Sequence, residues 1–273
     1  MSKFDKQIPE TVDSRYVGLV DAVHSGWFLQ ETGELFHGFS VTAEDTLLDV
    51  GCGEGAASFF AAQRGAHVII TDTEEKIVQD LRDRITRETP ARKVETLVGD
   101  SDPLALPDAC ANRIVCMEVL EHVETPPRLL SELMRVGTPG ANYLLSVPGA
   151  RSEHMQKRTA PASYFQPPNH IHIFEREDFT ALVEEAGLLI QEYHQSGFFW
   201  VMWMNLYWAA EAAEGHGMDG AIRDKIVPPF DLNLNRWASL WLKMITTAEG
   251  KAFKEEMDQI LPKNQIILAR KPD

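Results

Sequence analysis

Two groups of residues in this chain have types and spacings suited to chemistry. The first is the run Leu47-Leu48-Asp49-Val50-Gly51-Cys52-Gly53-Glu54-Gly55, an apolar stretch that breaks into a glycine-rich turn. Glycines at such a turn let the main chain come close to a ligand, and a helix beginning just after it offers unpaired N–H groups. Dinucleotide sites also use a glycine-rich turn, but they spread it as Gly-x-Gly-x-x-Gly. Here the order is Gly51-x-Gly53-x-Gly55 with Asp49 ahead of it, where a carboxylate could reach a cationic amino group rather than a pyrophosphate. A second acid, Asp72, ends the run Val68-Ile69-Ile70-Thr71. It is placed for bidentate hydrogen bonding to a ribose diol, or simply to cap the helix that follows. Gly99-Asp100-Ser101 is a third polar stop and could meet an adenine edge.

The second group could handle a proton or a metal. Glu118, Glu121 and His122 follow an apolar run that ends at Met117. On a helical turn, spacings of three and four residues would put them on one face. Farther on, Asn169-His170-Ile171-His172-Ile173-Phe174 alternates, so an extended chain would send His170 and His172 to one side. Carboxylates with neutral imidazoles can hold a divalent metal. His170, His172 or His122 could equally serve as a general base on a hydroxyl. Histidines that merely line a pocket or a surface give the same pattern, and all three readings stay open.

These residues need elements to hold them. Apolar stretches at Thr46–Val50, His67–Ile70, Val94–Val98, Arg113–Met117, Tyr143–Val147, Leu188–Tyr193 and Gln265–Arg270 predict strands. Between them, Ala56–Arg64, Glu74–Arg87, Pro127–Val136 and Glu175–Ala186 read as helices. Such alternation implies a parallel sheet covered on both faces and, with right-handed crossovers, a doubly wound α/β fold. The polar stops then fall at carboxyl ends of strands, where open α/β sheets bind ligands. Ahead of the sheet, Val12, Tyr16, Leu19, Val20 and Val23 recur near helical spacing and predict a helix over Thr11–Phe28.

Some seventy residues between the last two strands are more than the sheet needs, and they hold five of the six tryptophans. Phe198, Phe199, Trp200, Trp203, Tyr207 and Trp208 lead into a glycine-rich break, then a second helical stretch over Trp237–Ile245. This insertion reads as a packed cap, a homodimer interface or a lid over an apolar acceptor. The expected organisation is an N-terminal helical cap over 1–40, a core over 41–196, the insertion over 197–262 and a last core strand over 263–273.

With 273 residues, 44% of them apolar, the chain can bury a substantial core. A formal charge of −15 without a basic block argues against general nucleic-acid binding. Met1–Glu10 lacks the apolar core of a secretory signal, and Cys52, Cys110 and Cys116 have no metal-ligand spacing, so the expected location is cytoplasmic. The most apolar run, Gly197–Ala210, is shorter than the ~20 residues of a membrane span.

The run Leu47–Gly55, Asp72, Gly99-Asp100 with Leu106-Pro107, and Val115-Cys116-Met117-Glu118-Val119-Leu120-Glu121-His122-Val123 resemble, in order, the motifs of class I S-adenosylmethionine (SAM)-dependent methyltransferases. The likeness covers roughly residues 45–195 and is to the branch containing the ubiquinone-biosynthesis O-methyltransferases. It implies a Rossmann-like sheet with an antiparallel last strand, and SAM as cofactor. Asp49, Gly51 and Gly53, with Cys52 beside them, would hold the methionine moiety. Asp72, with Thr73, would take the ribose, and Asp100 and Ser101 the adenine, while Met117 or Glu118 would line the sulfonium side. Some relatives in this resemblance hold a divalent metal, for which Glu118, Glu121, His122 and one of His170 or His172 would be the ligands. The acceptor expected is a small or medium-sized molecule, methylated on oxygen. A SAM-binding partner protein without transferase activity and a metal-assisted RNA 2′-O-methyltransferase are the rival readings.

Overall fold

The computed structural model describes residues 10–100, 103–215 and 231–273. Runs of five to seven residues form the strands β4 (Thr46–Val50), β5 (His67–Asp72), β6 (Lys93–Val98) and β7 (Ala111–Met117). The longer β8 (Gly137–Pro148) follows, then β9 (Leu189–Ser196) and β10 (Asn264–Arg270). They make one seven-stranded sheet in the order β6-β5-β4-β7-β8-β10-β9. Pairs from β6 to β8 are parallel, and β10 runs antiparallel to β8, from Asn264 opposite Pro148 to Arg270 opposite Asn142. The expected doubly wound, mainly parallel sheet with its antiparallel last strand is therefore present. Alternation sends Leu48, Val50, Ile114 and Cys116 into one apolar layer and Leu47, Val68, Ile70, Val115 and Leu144 into the other. Helices α2 (Ala56–Gln63), α3 (Glu75–Glu88), α4 (Pro126–Val136) and α6 (Arg176–Glu185) lie between the strands in sequence. The strand order reverses at β4, so the carboxyl ends of β4 and β7 are neighbours that lead off in opposite directions.

The chain divides into two compact units. The sheet unit takes Gly26–Ala150, His170–His194 and Asn264–Asp273; the helical unit takes the described parts of Met1–Ser25, Arg151–Asn169 and Gln195–Lys263. These bounds differ from the expected ones at two places. Residues 27–40 are not helical: β1 (Trp27–Leu29), β2 (Glu34–Phe36) and β3 (Phe39–Ser40) form a small antiparallel sheet. Gly26, at φ +94°, turns the chain out of the helix, and Trp27 packs on Phe36 at 4.7 Å between ring centres. Residues 151–169 group with the helices, where α5 (Ala150–Gln156) buries Ser152, Glu153 and Gln156.

Within the helical unit, α1 spans only Ser14–His24 and is capped by Asp13, which accepts from Arg15 N at 2.8 Å. Of the expected apolar repeat, Val12 and Val20 pack against the core but the other three do not. Tyr16, Leu19 and Val23 are exposed, while Ser14, Val17, Gly18 and Asp21 are buried. The partner decides this: a Cβ on Gly18 would overlap the Trp200 ring. The aromatic run forms α7 (Phe198–Glu214), followed by α8 (Leu232–Ile245) and α9 (Ala248–Ile260). Trp203, Trp208 and Trp241 are at most 1% exposed, so these rings are the interior of the unit. Among the described residues no helix is long and apolar enough to cross a membrane.

Three charges sit in that interior. Lys254 Nζ donates to Asp258 and to Ser25 Oγ, and lies 3.6 Å from Asp21. Asp21 also accepts from Trp241 Nε1 at 2.7 Å, and Asp258 from Phe198 N at 2.9 Å. Burial pushes the Asp21 carboxyl up to about 6 against the pull of Lys254, with Asp258 adding repulsion. Lys254→Met should therefore cost about 3–5 kcal/mol in urea unfolding at pH 7, because two carboxylates lose their cation. The raised Asp21 carboxyl binds a proton in the folded state at a pH where the unfolded chain does not, so the deficit should narrow as pH falls from 7 toward 4.

Candidate functional site

The site is built where β4 becomes α2. Asp49, the fourth residue of β4, is buried, and one of its carboxylate oxygens accepts from Ser58 N at 3.1 Å and from Ser58 Oγ at 2.6 Å. Burial pushes its carboxyl up to about 6; the Ser58 bonds pull the other way and the charge of Asp72 adds to the rise. Between strand and helix, Gly51, Gly53 and Gly55 have φ of +67°, +48° and +77°, in the left-handed region that glycine adopts without a Cβ clash. Gly51 N and Cys52 N both donate to Thr71 O, at 2.9 and 3.0 Å, which ties the turn to the end of β5. A Cβ on Gly51 would overlap Val119 and one on Gly55 would overlap Leu81, whereas one on Gly53 would meet nothing within 4 Å. The turn is packed at both ends and open in the middle.

Asp72 closes the other side of the turn. Its Oδ2 accepts from Gly53 N and its Oδ1 from Glu74 N, both at 3.1 Å, so the carboxylate joins the glycine turn to the start of α3. Thr73 is exposed beside it, and its hydroxyl is 3.5 Å from Asp72 Oδ1. Gly99 N donates to Asp72 O at 3.0 Å, which brings the exposed Asp100 after β6 to the same end of the sheet; Ser101 lies outside the described residues. Cys52 is buried, and that burial raises its thiol well above the ordinary range, which leaves it a packing group. The open space over Gly53, two carboxylates flanking it and left-handed glycines suit a ligand with a cationic amino group and a ribose. That donor set fits SAM.

The turn after β7 is not the helix that the spacing of Glu118, Glu121 and His122 suggested; α4 begins only at Pro126. Glu118 instead takes a left-handed φ of +56°, and its side chain accepts from Ser146 Oγ at 3.3 Å. Glu121 is fully buried, and its carbonyl accepts from Ile171 N at 2.8 Å and His172 N at 3.2 Å. Those two bonds dock the histidine segment on the turn. Ligand atoms of Glu121, His122 and His170 come within 4.8 Å of one another, and the two imidazoles meet edge to face at 4.9 Å. Glu118 is outside that group. His172 is too: the docked chain does not alternate as a strand would, and His172 Nε2 donates to Val123 O at 3.0 Å. Sequence reasoning missed Ser58 and Ser146. Each is a hydroxyl alone in an apolar run, Ala56-Ala57-Ser58-Phe59-Phe60 and Leu144-Leu145-Ser146-Val147, and that isolation was the available signal.

A family described as a methyltransferase domain matches residues 29–193. A Mycolicibacterium smegmatis protein named as a probable S-adenosylmethionine-dependent methyltransferase is 31% identical over 146 residues, 54% of this chain and 52% of that one. The chain thus spans about half the length of that relative. The ubiquinone biosynthesis O-methyltransferase of Aeromonas salmonicida is 24% identical over 185 residues, 63% of this chain and 72% of that one. Among solved structures, an S-adenosylmethionine-dependent methyltransferase of Mesorhizobium loti aligns with TM-score 0.53 at 16% identity, over 85% of this chain and 92% of the other. The [4+2]-cyclase SpnF aligns with TM-score 0.53 at 20% identity, over 95% and 81%. Likeness at these identities is one of fold, and the cyclase shows that fold alone does not assign a reaction.

The glycine turn makes a graded prediction. Gly51→Ala adds left-handed strain and an overlap with Val119, and should cost about 2–4 kcal/mol in urea unfolding. Gly53→Ala adds only the strain, about 1 kcal/mol, while filling the open space. Equal losses in the two variants would mean that the packing difference between them is not real.

Proposed function

The chain belongs to the SAM-dependent methyltransferases, and we propose that it methylates a hydroxyl oxygen of a small or medium-sized acceptor. The observation that carries the reading is the meeting of His170 with Glu121 and His122 beside the strand ends where the glycine turn lies. The ubiquinone O-methyltransferase relative supports oxygen as the methylated atom.

In this reading Asp49, Gly51, Cys52 and Gly53 hold the methionine end of SAM, Asp72 and Thr73 the ribose and Asp100 the adenine, with Met117 and Glu118 on the sulfonium side. Bound there, SAM supplies an electrophilic methyl group. In-line transfer needs chiefly that the acceptor be held and water kept out. His170 takes the proton of the acceptor hydroxyl, and the buried Glu121 carboxylate steadies the single imidazolium that results. The grouping of Glu121, His122 and His170 also supports a second reading, in which the same three side chains hold a divalent cation that lowers the pKa of the hydroxyl. A net charge of −15 argues against RNA as the acceptor.

Calorimetric titration with S-adenosylhomocysteine, with and without magnesium, tests the cofactor site. A magnesium-dependent affinity would favour the second reading, and absence of binding by folded, ligand-free protein would sink both. Asp72→Ala should weaken binding about tenfold or more. His170→Ala should leave binding intact and lower turnover across a panel of hydroxylated acceptors by about 10²–10⁴; normal turnover would remove His170 from the mechanism.

The raised Asp49 carboxyl adds a pH signature. A cationic amino group favours ionised Asp49, so binding must expel the proton that the free protein holds below about pH 6. Affinity should rise with pH up to about 6 and then level off, with proton release seen as a buffer-dependent heat at pH 5.5. A flat profile that persists in Asp49→Asn would assign the amino group to another partner.

A further inference from the structure

Asp49 is an acid in a place that offers it no cation. It is 3% exposed on β4, opposite Ile70 of β5 and Val115 of β7 in the sheet register. No lysine, arginine or histidine among the described residues pairs with it, and the neighbouring charge it feels, that of Asp72 at the end of β5, is negative. A buried anion of that kind is costly unless something positive meets it. Part of its presence is explained by α2. Gly55 brings no side chain to the start of that helix, and Asp49 Oδ2 takes the place of one by accepting from Ser58 N at 3.1 Å. An asparagine would do as much without a charge. Ser58 Oγ donates to the same oxygen at 2.6 Å, so both of its donors go to Oδ2. Asp49 Oδ1 has no donor among the described residues, yet it is not one of their buried polar atoms without a partner. The slight exposure of the residue therefore includes this oxygen. After burial, the charges of Asp49 and Asp72 are what push up the Cys52 thiol between Gly51 and Gly53, so the two acids stand about one turn.

We propose that Ser58 is a positioning residue of the cofactor site, engaging one oxygen of Asp49 so that the other receives the cationic amino group of SAM. This rests on the reading that the glycine turn holds SAM. A carboxylate free to rotate would divide its charge between helix and ligand. Two donors on Oδ2 fix its rotation and leave Oδ1 as the acceptor for the ligand, so one side chain serves both. Donation from Ser58 also opposes the rise that burial and Asp72 impose on the carboxyl, which keeps it ionised and attractive to a cation across the neutral range. Its other titratable neighbours stay silent there. Burial raises the thiols of Cys52 in the turn and Cys116 on β7 well above neutrality, and both remain uncharged. A hydroxyl suits the task because it donates without bringing a charge. An arginine or lysine at this position would itself supply the cation that the ligand is to bring.

The test needs no acceptor. Titrate the purified protein calorimetrically, at about pH 6.5 and about pH 8, with S-adenosylhomocysteine and with its deaminated analogue, the same thioether with hydrogen in place of the amino group. Ser58→Ala removes the hydroxyl and keeps the main-chain donor. With one hydrogen bond to a charged group gone, the carboxyl should titrate about one pH unit higher. Affinity for S-adenosylhomocysteine should then fall about tenfold at the lower pH and about threefold at the higher, where ionisation is restored and only the aim is lost. The pH at which affinity levels off should move up from about 6 by the same unit. The deaminated analogue should stay within about twofold at both, because nothing in it answers to Asp49. Equal losses for the two ligands, or an unchanged pH profile, overturn the proposal and leave Ser58 a part of the helix start alone. If Ser58→Ala does not fold, Ser58→Cys, a weaker donor of similar size, decides by the same comparison. Failure of the unaltered protein to bind S-adenosylhomocysteine overturns the parent reading instead.

Discussion

A carboxylate buried in a parallel sheet must be held by something other than water, and for Asp49 that partner is Ser58. The serine offers its N–H and its hydroxyl to one carboxylate oxygen, which fixes the first turn of α2 to the end of β4. A short link anchored at both ends has few ways to close, and three left-handed glycines are the way this chain closes it. The same closure aims Gly53 N at Asp72 and so sets where α3 begins. Remove the tie, and the turn loses the reason for its shape.

Across the reversal in strand order, β7 reaches a comparable bend without a glycine. There Glu118 is forced into the left-handed region by Ser146, and the chain beyond it is steadied by main-chain bonds, with the Glu121 carbonyl receiving two N–H groups from the histidine segment. Both halves of the proposed site are therefore shaped by side chains that bind the main chain or one another behind the opening, together with backbone hydrogen bonds. A frame of that kind tolerates changed side chains around its opening, which is one physical reason a single fold hosts many acceptors.

The centre of the sheet was legible because strands such as β4, β5 and β8 are largely buried and read as apolar runs; Thr46–Val50 matches to the residue. The glycine turn and its acids were legible because left-handed turns and strand-end carboxylates leave marks on residue type. What escaped depends on partners distant in the chain. The buried face of α1 is chosen by Trp200, so a small-residue stripe wins over the apolar repeat of Tyr16, Leu19 and Val23. Residues 27–40 turn from helix to strand at a single glycine, Gly26. His172 looks equivalent to His170 until Glu121 docks the segment and Val123 captures its ring. Hydroxyls such as Ser146 become conspicuous only once the sheet register places them against an acid.

The sheet's seam also bears on assembly. β10, the strand furthest along the chain, does not lie at the edge but fills the gap between β8 and β9. While a ribosome is still threading out the helical insertion, β8 has an open flank with no neighbour to receive its hydrogen bonds, and β9 has no seat at all. Every residue from β8 through Asn264 must emerge before the hole can be stitched shut, and long-range pairing of that sort is slow and exposes sticky edges in the meantime. The molecule's most vulnerable moment is thus written into its strand order: a nascent chain halted just short of Asn264 carries a frayed sheet, however well its glycine turn has formed.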